Sequence, residues 1–221
     1  MRILLLGEYS RLHNSLKEGL VQLGHEVIIV GDGDDFKDYP VDFSIDAKFS
    51  KSKPIVYFRR LIHRLFKYDF AKTERGIRFY FLLKKLKNFD VVQLINESAI
   101  KTTAGFEIFL LKKIIQQNKK LFLLSCGTDA VCMQYMVDKK FKYSTLTPYF
   151  ESENRSNIYH YMFEYLSKSH LKLHHFLYKN IKGVIASDMD YAIPLEGNSK
   201  FLGLIPNPIN TKKIVFKELV I

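Results

Sequence analysis

Short runs of branched apolar residues, each cut off by glycine or a polar turn, constrain the fold of this chain more than any other feature. Residues 2–6 read RILLL before Gly7, Glu26–Val30 read EVIIV before the Gly31–Asp35 turn, and Asp90–Ile95 read DVVQLI. Leu121–Ser125 (LFLLS) and Gly183–Ala186 (GVIA) continue the series. Runs this short and this apolar are what strands buried on both faces require. The stretches between them keep helical spacing. Leu12, Leu16, Leu20 and Leu23 share one face with Gly24 closing the helix, a second helix is predicted across Phe106–Gln116, and a long one from about Asn157 to Tyr178. Buried strands alternating with helices predict an α/β fold: a Rossmann-like three-layer domain with a mainly parallel sheet and right-handed crossovers. No internal repeat or low-complexity run interrupts this rhythm, and residues 1–210 read as one domain.

With 221 residues, 47% of them hydrophobic, the chain can bury a full core, which excludes disorder. Its two cysteines, Cys126 and Cys132, offer no disulfide framework, and a reducing, cytoplasmic compartment is the simplest expectation. The apolar run in MRILLLGEYS stops after four residues, too short for a signal peptide or a membrane span.

The net charge is +11, and it is unevenly spread. Between Lys51 and Lys87 twelve Lys or Arg stand against Asp69 and Glu74, a surplus of +10 that leaves the other 184 residues at +1. Within that segment Pro54 opens a helix on which Ile55, Phe58, Leu61, Ile62, Leu65 and Phe66 recur at helical spacing, with Arg59, Arg60, His63, Arg64 and Lys67 between them. A second amphipathic run sets Ile77, Tyr80, Phe81, Leu83 and Leu86 beside Arg78, Lys84, Lys85 and Lys87. A core helix with a basic solvated face is the plain reading of this composition. An anionic lipid surface is the functional one, with Arg59, Arg60, Arg64 and Lys67 facing the membrane. Nucleic acid is not expected, since no helix-turn-helix, ribonucleoprotein or zinc-finger pattern is present.

In an open parallel sheet ligands bind beyond the carboxyl ends of the strands. The candidates are therefore Gly7, Glu8, Tyr9 and Ser10, with His13 and Asn14 on the helix behind them; Asn96, Glu97 and Ser98; Cys126, Gly127, Thr128 and Asp129; and Ser187 and Asp188. Gly7 and Gly127 let backbone approach a ligand, and Glu97, Ser98, Thr128 and Asp129 would hydrogen-bond hydroxyl groups. Other motifs carry less. Gly31-Asp32-Gly33 lacks the third glycine and the following helix of a dinucleotide fingerprint. Asp188-Met189-Asp190 is a weak cue for metal, and no metal site is expected. His170 and His174 lie four apart without a third ligand, and a solvated helix face is the expectation for them.

Three stretches together resemble retaining GT-B glycosyltransferases of the family-4 type. LLLGEYSRLHNSLKEGLVQLGHEV at 4–27 is similar to the family's opening, with its glycine loop and Leu-Gly-His-Glu-Val turn. SCGTD at 125–129 resembles the loop after a central strand, often His-Gly-Ser/Thr followed by a polar residue, and IPNPIN at 205–210 resembles the interdomain linker. The resemblance implies transfer of a sugar from a nucleotide-sugar co-substrate, with no further cofactor, to a glycan or lipid-linked acceptor in surface polysaccharide synthesis. The N-terminal domain would bind acceptor, with the glycine loop near the donor phosphates, and a C-terminal domain would bind the donor. It also implies peripheral attachment to the inner face of the cell membrane through a basic amphipathic helix. Residues 211–221 would begin the linker to a donor-binding domain that this chain lacks, so transfer by the chain alone is not expected. The alternative is a membrane-recruiting subunit of a split enzyme. Cys126 stands where many relatives carry histidine, and no catalytic residue is assigned.

Overall fold

A computed structural model describes residues 1–66, 68–152 and 157–211. The chain forms seven strands: β1 (Arg2–Leu6), β2 (Glu26–Gly31), β3 (Phe43–Ser44), β4 (Val91–Leu94), β5 (Lys120–Ser125), β6 (Gly183–Ala186) and β7 (Phe201–Leu204). All pair in parallel, in the order β3-β2-β1-β4-β5-β6-β7. The helices among the described residues are α1 (Leu12–Gln22), α2 (Lys53–Phe66), α3 (Phe70–Leu82), α4 (Ala104–Gln117), α5 (Ala130–Val137), α6 (Thr147–Glu151), α7 (His160–Phe163), α8 (Lys168–Asn180) and α9 (Met189–Leu195), with three short 3-10 turns. This is the expected Rossmann-like α/β architecture, helices on both faces of a parallel sheet.

The two faces follow from strand alternation. Leu4, Leu6, Val92, Leu94, Leu121, Leu123 and Val184 point to one side, where Phe79 of α3, Leu110 and Ile114 of α4, Leu173 and Leu177 of α8 and Leu195 of α9 complete one core. Ile3, Leu5, Val27 and Ile29 point to the other, against Leu16 and Leu20 of α1. A third cluster, rich in methionine, packs Met133 and Met136 of α5 against Leu146 and Met162.

The five expected strands are present, and Gly24 closes α1 at φ +80°. The long helix expected from Asn157 to Tyr178 is broken. Ser167 is extended (φ −65°, ψ 150°), and its hydroxyl accepts the His170 N–H at 3.2 Å, so a new helix starts there. The short edge strands β3 and β7 and helices α5 and α9 went unpredicted.

Candidate functional site

Strand order reverses between β1 and β4, so their following loops part at the carboxyl edge of the sheet, where a binding crevice is expected. The loops after β1, β5 and β6 enclose a cleft of about 600 Å³. Ser10, Arg11, Ser15, Cys126, Gly127, Ser187, Asp188 and Tyr191 wall it, and Asn207–Asn210 fold back across its mouth. The Asn210 side-chain amide donates a hydrogen bond to the Glu18 carboxylate of α1 at 2.8 Å. Ser10 and Arg11 adopt left-handed backbone (φ 47° and 69°), sparsely populated for such residues, and the Ser10 N–H donates to Asp34 at 2.8 Å.

Of the expected cleft residues, Ser10, Cys126, Gly127, Ser187 and Asp188 line this space. Several others are corrected by their burial. Glu8 is fully buried, and its Oε2 accepts the Asn14 N–H at 2.8 Å, closing the amino end of α1. Burial pushes its carboxyl upward against the bonds from Asn14, and Oε1 has no hydrogen-bond partner among the described residues. His13 is also fully buried and bonds the Gly7 carbonyl through Nδ1 at 2.7 Å; burial pushes its imidazole down to about 4. At neutral pH it is uncharged, and it positions the glycine loop from behind. Gly7 itself is buried beneath Ile95. Tyr9 is partly buried, with the Lys101 ammonium 4.7 Å from its ring centroid, and Asn14 belongs to the cap and to a neighbouring groove. Ser98 and Thr128 are partly buried in their loops and do not line the cleft.

Glu97 and Asp129 are the largest corrections, since neither carboxylate reaches the cleft surface. Glu97 is fully buried and accepts from His170 Nε2 (2.8 Å), His174 Nδ1 (2.6 Å) and the Ala130 N–H (3.1 Å). His170 and His174 therefore do share a ligand at their four-residue spacing, and it is a carboxylate of the protein. A solvated face was the wrong expectation for them. Burial works to raise the Glu97 carboxyl, but the bonds from the two imidazoles outweigh it and hold the group low. Asp129 accepts the Cys132 N–H at 2.7 Å and the Ser125 hydroxyl, and burial with the nearby Glu97 charge pushes it up to about 6.

A common arrangement emerges. The helices that follow β1, β5 and β6, whose loops enclose the cleft, are α1, α5 and α9, and each has its amino end occupied by carboxylates of the chain: Glu8; Glu97 and Asp129; and Asp188, which accepts the Asp190 N–H at 3.1 Å. The helix ends that would attract a diphosphate are already neutralised. Asp32, after β2, is likewise engaged, by Lys101 at 2.8 Å and Arg75 at 3.6 Å. What the cleft offers a ligand is hydroxyls, backbone amides and one carboxylate; the Arg11 guanidinium is paired with Glu18 at 2.6 Å. Arg11, Ser15, Tyr191 and the place of Asn207–Asn210 at the cleft were missed by sequence reasoning. Arg11 and Ser15, four apart at the start of α1, carried the only legible signal.

The basic segment shows a second feature. On α2, Tyr57, Phe58, Leu61 and Leu65 are exposed beside exposed Arg60 and Arg64. Arg59 is corrected: its guanidinium forks onto Asp69 at 2.7 and 3.0 Å and does not project outward. Lys67 lies outside the described residues. On α3 and α4, Ile77, Tyr80, Phe81 and Phe109 form an exposed apolar platform, Tyr80 stacking on Phe109 at 6.2 Å with Lys113 over the same ring. Among the described residues no helix is long and apolar enough to cross a membrane, and no cluster of three His, Cys, Asp or Glu could hold a metal ion.

No protein-family model matches the sequence, and no curated protein does. Among solved structures, the 3-alpha-hydroxysteroid dehydrogenase from Pseudomonas sp. B-0831 complexed with NADH is 13% identical with a TM-score of 0.29. The match covers 63% of this chain and 52% of that one, so the chain spans about half the relative's length. A likeness this remote carries no argument about ligand or reaction.

Proposed function

We propose that this chain is the N-terminal, acceptor-binding domain of a GT-B glycosyltransferase of the family-4 type, acting on a glycan or lipid-linked acceptor in surface polysaccharide synthesis. The observation that carries the reading is the carboxylate occupancy of the helix ends around the cleft. Capped helix ends offer nothing further to a diphosphate, contrary to the expected place of the glycine loop near the donor phosphates, while the cleft presents acceptors and donors suited to sugar hydroxyls, through Ser10, Ser187, Asp188 and the Gly127 backbone. The folded-back Asn207–Asn210 segment supports it, since a linker at the cleft mouth couples the cleft to a following donor domain. The nucleotide sugar is a co-substrate of that second domain. In the assembled enzyme this half would hold the acceptor hydroxyl in line for transfer, a contribution of positioning.

The exposed aromatic residues of α2 and of the α3–α4 platform, with Arg60, Arg64, Lys84 and Lys113 beside them, favour peripheral attachment to an anionic membrane at the cytoplasmic face. Replacing Phe81 and Phe109 with serine should reduce co-sedimentation with phosphatidylglycerol vesicles while leaving the fold intact by circular dichroism.

The test of the main reading is a nuclear magnetic resonance titration with oligosaccharide acceptor mimics and, separately, NADH. The expected result is shifts at Ser10, Gly127, Ser187 and Asp188 with at least one glycan and none there with NADH. The reverse pattern overturns the reading.

A further inference from the structure

We infer that the opposite, amino-terminal edge of the sheet carries a second site, for a phosphate-bearing polyanion, in a cleft of about 300 Å³ walled by Lys119, Lys120, Lys179 and Lys182. Two segments some sixty residues apart build it. The end of α4 and the start of β5 supply the first two lysines, and the end of α8 and the approach to β6 supply the other two. Val92, Ile114 and Leu121 form its apolar floor.

Lysines at helix ends commonly serve the exposed carbonyls of the last turn. Here asparagines do that. Asn118 donates to the Ile114 carbonyl at 2.8 Å and Asn180 to the Phe176 carbonyl at 2.7 Å, so the ammonium groups are not needed there. Lys119 bridges Asp90 at 2.7 Å, while Lys120, Lys179 and Lys182 have no ion-pair partner among the described residues. Gathering like charges around one concavity is unfavourable until an anion fills it, and the same field raises the local concentration of anions. Lysine ammonium groups are compact point charges on flexible stems, suited to the dispersed oxygens of phosphate, whereas a planar carboxylate pairs best with arginine forks. The chemistry is shared by a free diphosphate and a phospholipid head group. This site lies at the far edge from the hydroxyl-lined cleft and does not depend on the transferase reading.

The test compares calorimetric binding of inorganic pyrophosphate at low ionic strength to the natural chain and to two triple variants of equal net charge. One is K120A/K179A/K182A; the other, K142A/K168A/K172A, removes exposed lysines elsewhere, and circular dichroism checks both folds. We expect saturable binding that weakens about tenfold or more in the first variant and changes less than about twofold in the second. Co-sedimentation with phosphatidylglycerol and phosphatidylcholine vesicles separates the sources. Loss of the charge-dependent lipid binding in the first variant alone assigns the site to head groups, and its retention assigns it to soluble phosphate compounds. Equal weakening in both variants, or no pyrophosphate binding together with unchanged vesicle binding, overturns the inference.

Discussion

Glu97 and Asp129 share the amino terminus of one helix. Glu97 accepts the Ala130 N–H of α5 and Asp129 the Cys132 N–H, so two buried carboxylates meet where one would suffice. Asp129 is the one pushed up, to about 6, by burial and then by the charge of Glu97. Its ionised form is disfavoured in the folded state, so its contribution to stability is greatest below its unfolded value near 3.9 and is lost as pH rises through about 6. Two units correspond to at most roughly 3 kcal/mol. Asp129→Asn keeps the acceptor for Cys132 and removes the titration. Urea denaturation at pH 4.5 and 7 should show the variant lacking this part of the natural chain's gain toward acid; an unchanged difference between the two pH values would refute the assignment.

His13 has the opposite sign in an overlapping window. Buried without charge and pushed down to about 4, it resists the proton that the unfolded chain accepts near 6.5. Stability it supports is therefore full above 6.5 and lost as pH falls toward 4. His13→Gln should make stability fall less, or rise more, between pH 6.5 and 4 than in the natural chain, the reverse of Asp129→Asn. A direct check is the imidazole nitrogen spectrum at pH 6, which should show a neutral ring carrying its proton on Nδ1, toward the Gly7 carbonyl.

These two residues also mark where sequence reading succeeded and where it stopped. Strand runs such as RILLL and LFLLS were legible because burial on both faces leaves no polar alternation to confuse them. The loops at the carboxyl edge followed from topology alone. What a side chain does within such a loop did not follow, because it depends on partners far away in sequence: Glu97 meets His170 and His174 more than seventy residues on. Acids placed after a strand look the same in sequence whether they face a ligand or cap the next helix from within. Charge behaved alike. The surplus at 51–87 was countable, yet Arg59 turns inward onto Asp69, and the lysines at the far edge gather only when α4 and α8 end side by side.

Overpacking gives a third prediction, at the glycine that follows β1. Gly7 sits at φ +85°, and a Cβ there would lie 2.2 Å from Ile95 Cγ2 and 3.1 Å from the Ala99 carbonyl oxygen. Gly7→Ala therefore combines left-handed strain with overpacking against a fully buried side chain, about 2–5 kcal/mol together. Gly105→Ala, in the first turn of α4 with nothing within 4 Å of the added Cβ, should be neutral or slightly stabilising, since alanine is the better helix former. Chemical denaturation of the two variants side by side checks the contrast, and equal stabilities would show that the loop relaxes freely.

Glu97 is expected to be the most sensitive side chain at the site. Glu97→Ala strands two imidazole N–H groups and the Ala130 amide in a dry interior, a loss of about 3–5 kcal/mol. His174→Ala removes one donor and should cost less, because the carboxylate keeps His170 and Ala130. The order of urea midpoints, natural chain above His174→Ala above Glu97→Ala, is the measurement, and inversion of the two variants would place the critical contact elsewhere.

The cysteines report on the cleft without any substitution. Burial pushes the Cys126 thiol up to about 11 and the Cys132 thiol up to about 12, with neighbouring carboxylates adding to the effect. Since the thiolate is the reactive species, both should react with a disulfide reagent at pH 8 about a hundredfold or more slower than a free thiol. Only Cys126 lines the cleft. Cys126 should then be the first labelled by mass spectrometry, and a glycan seated in the cleft should slow it while leaving Cys132 unchanged. Protection of Cys132 alone would place the ligand behind α5, on the methionine-rich side, and remove the cleft from consideration as the acceptor site.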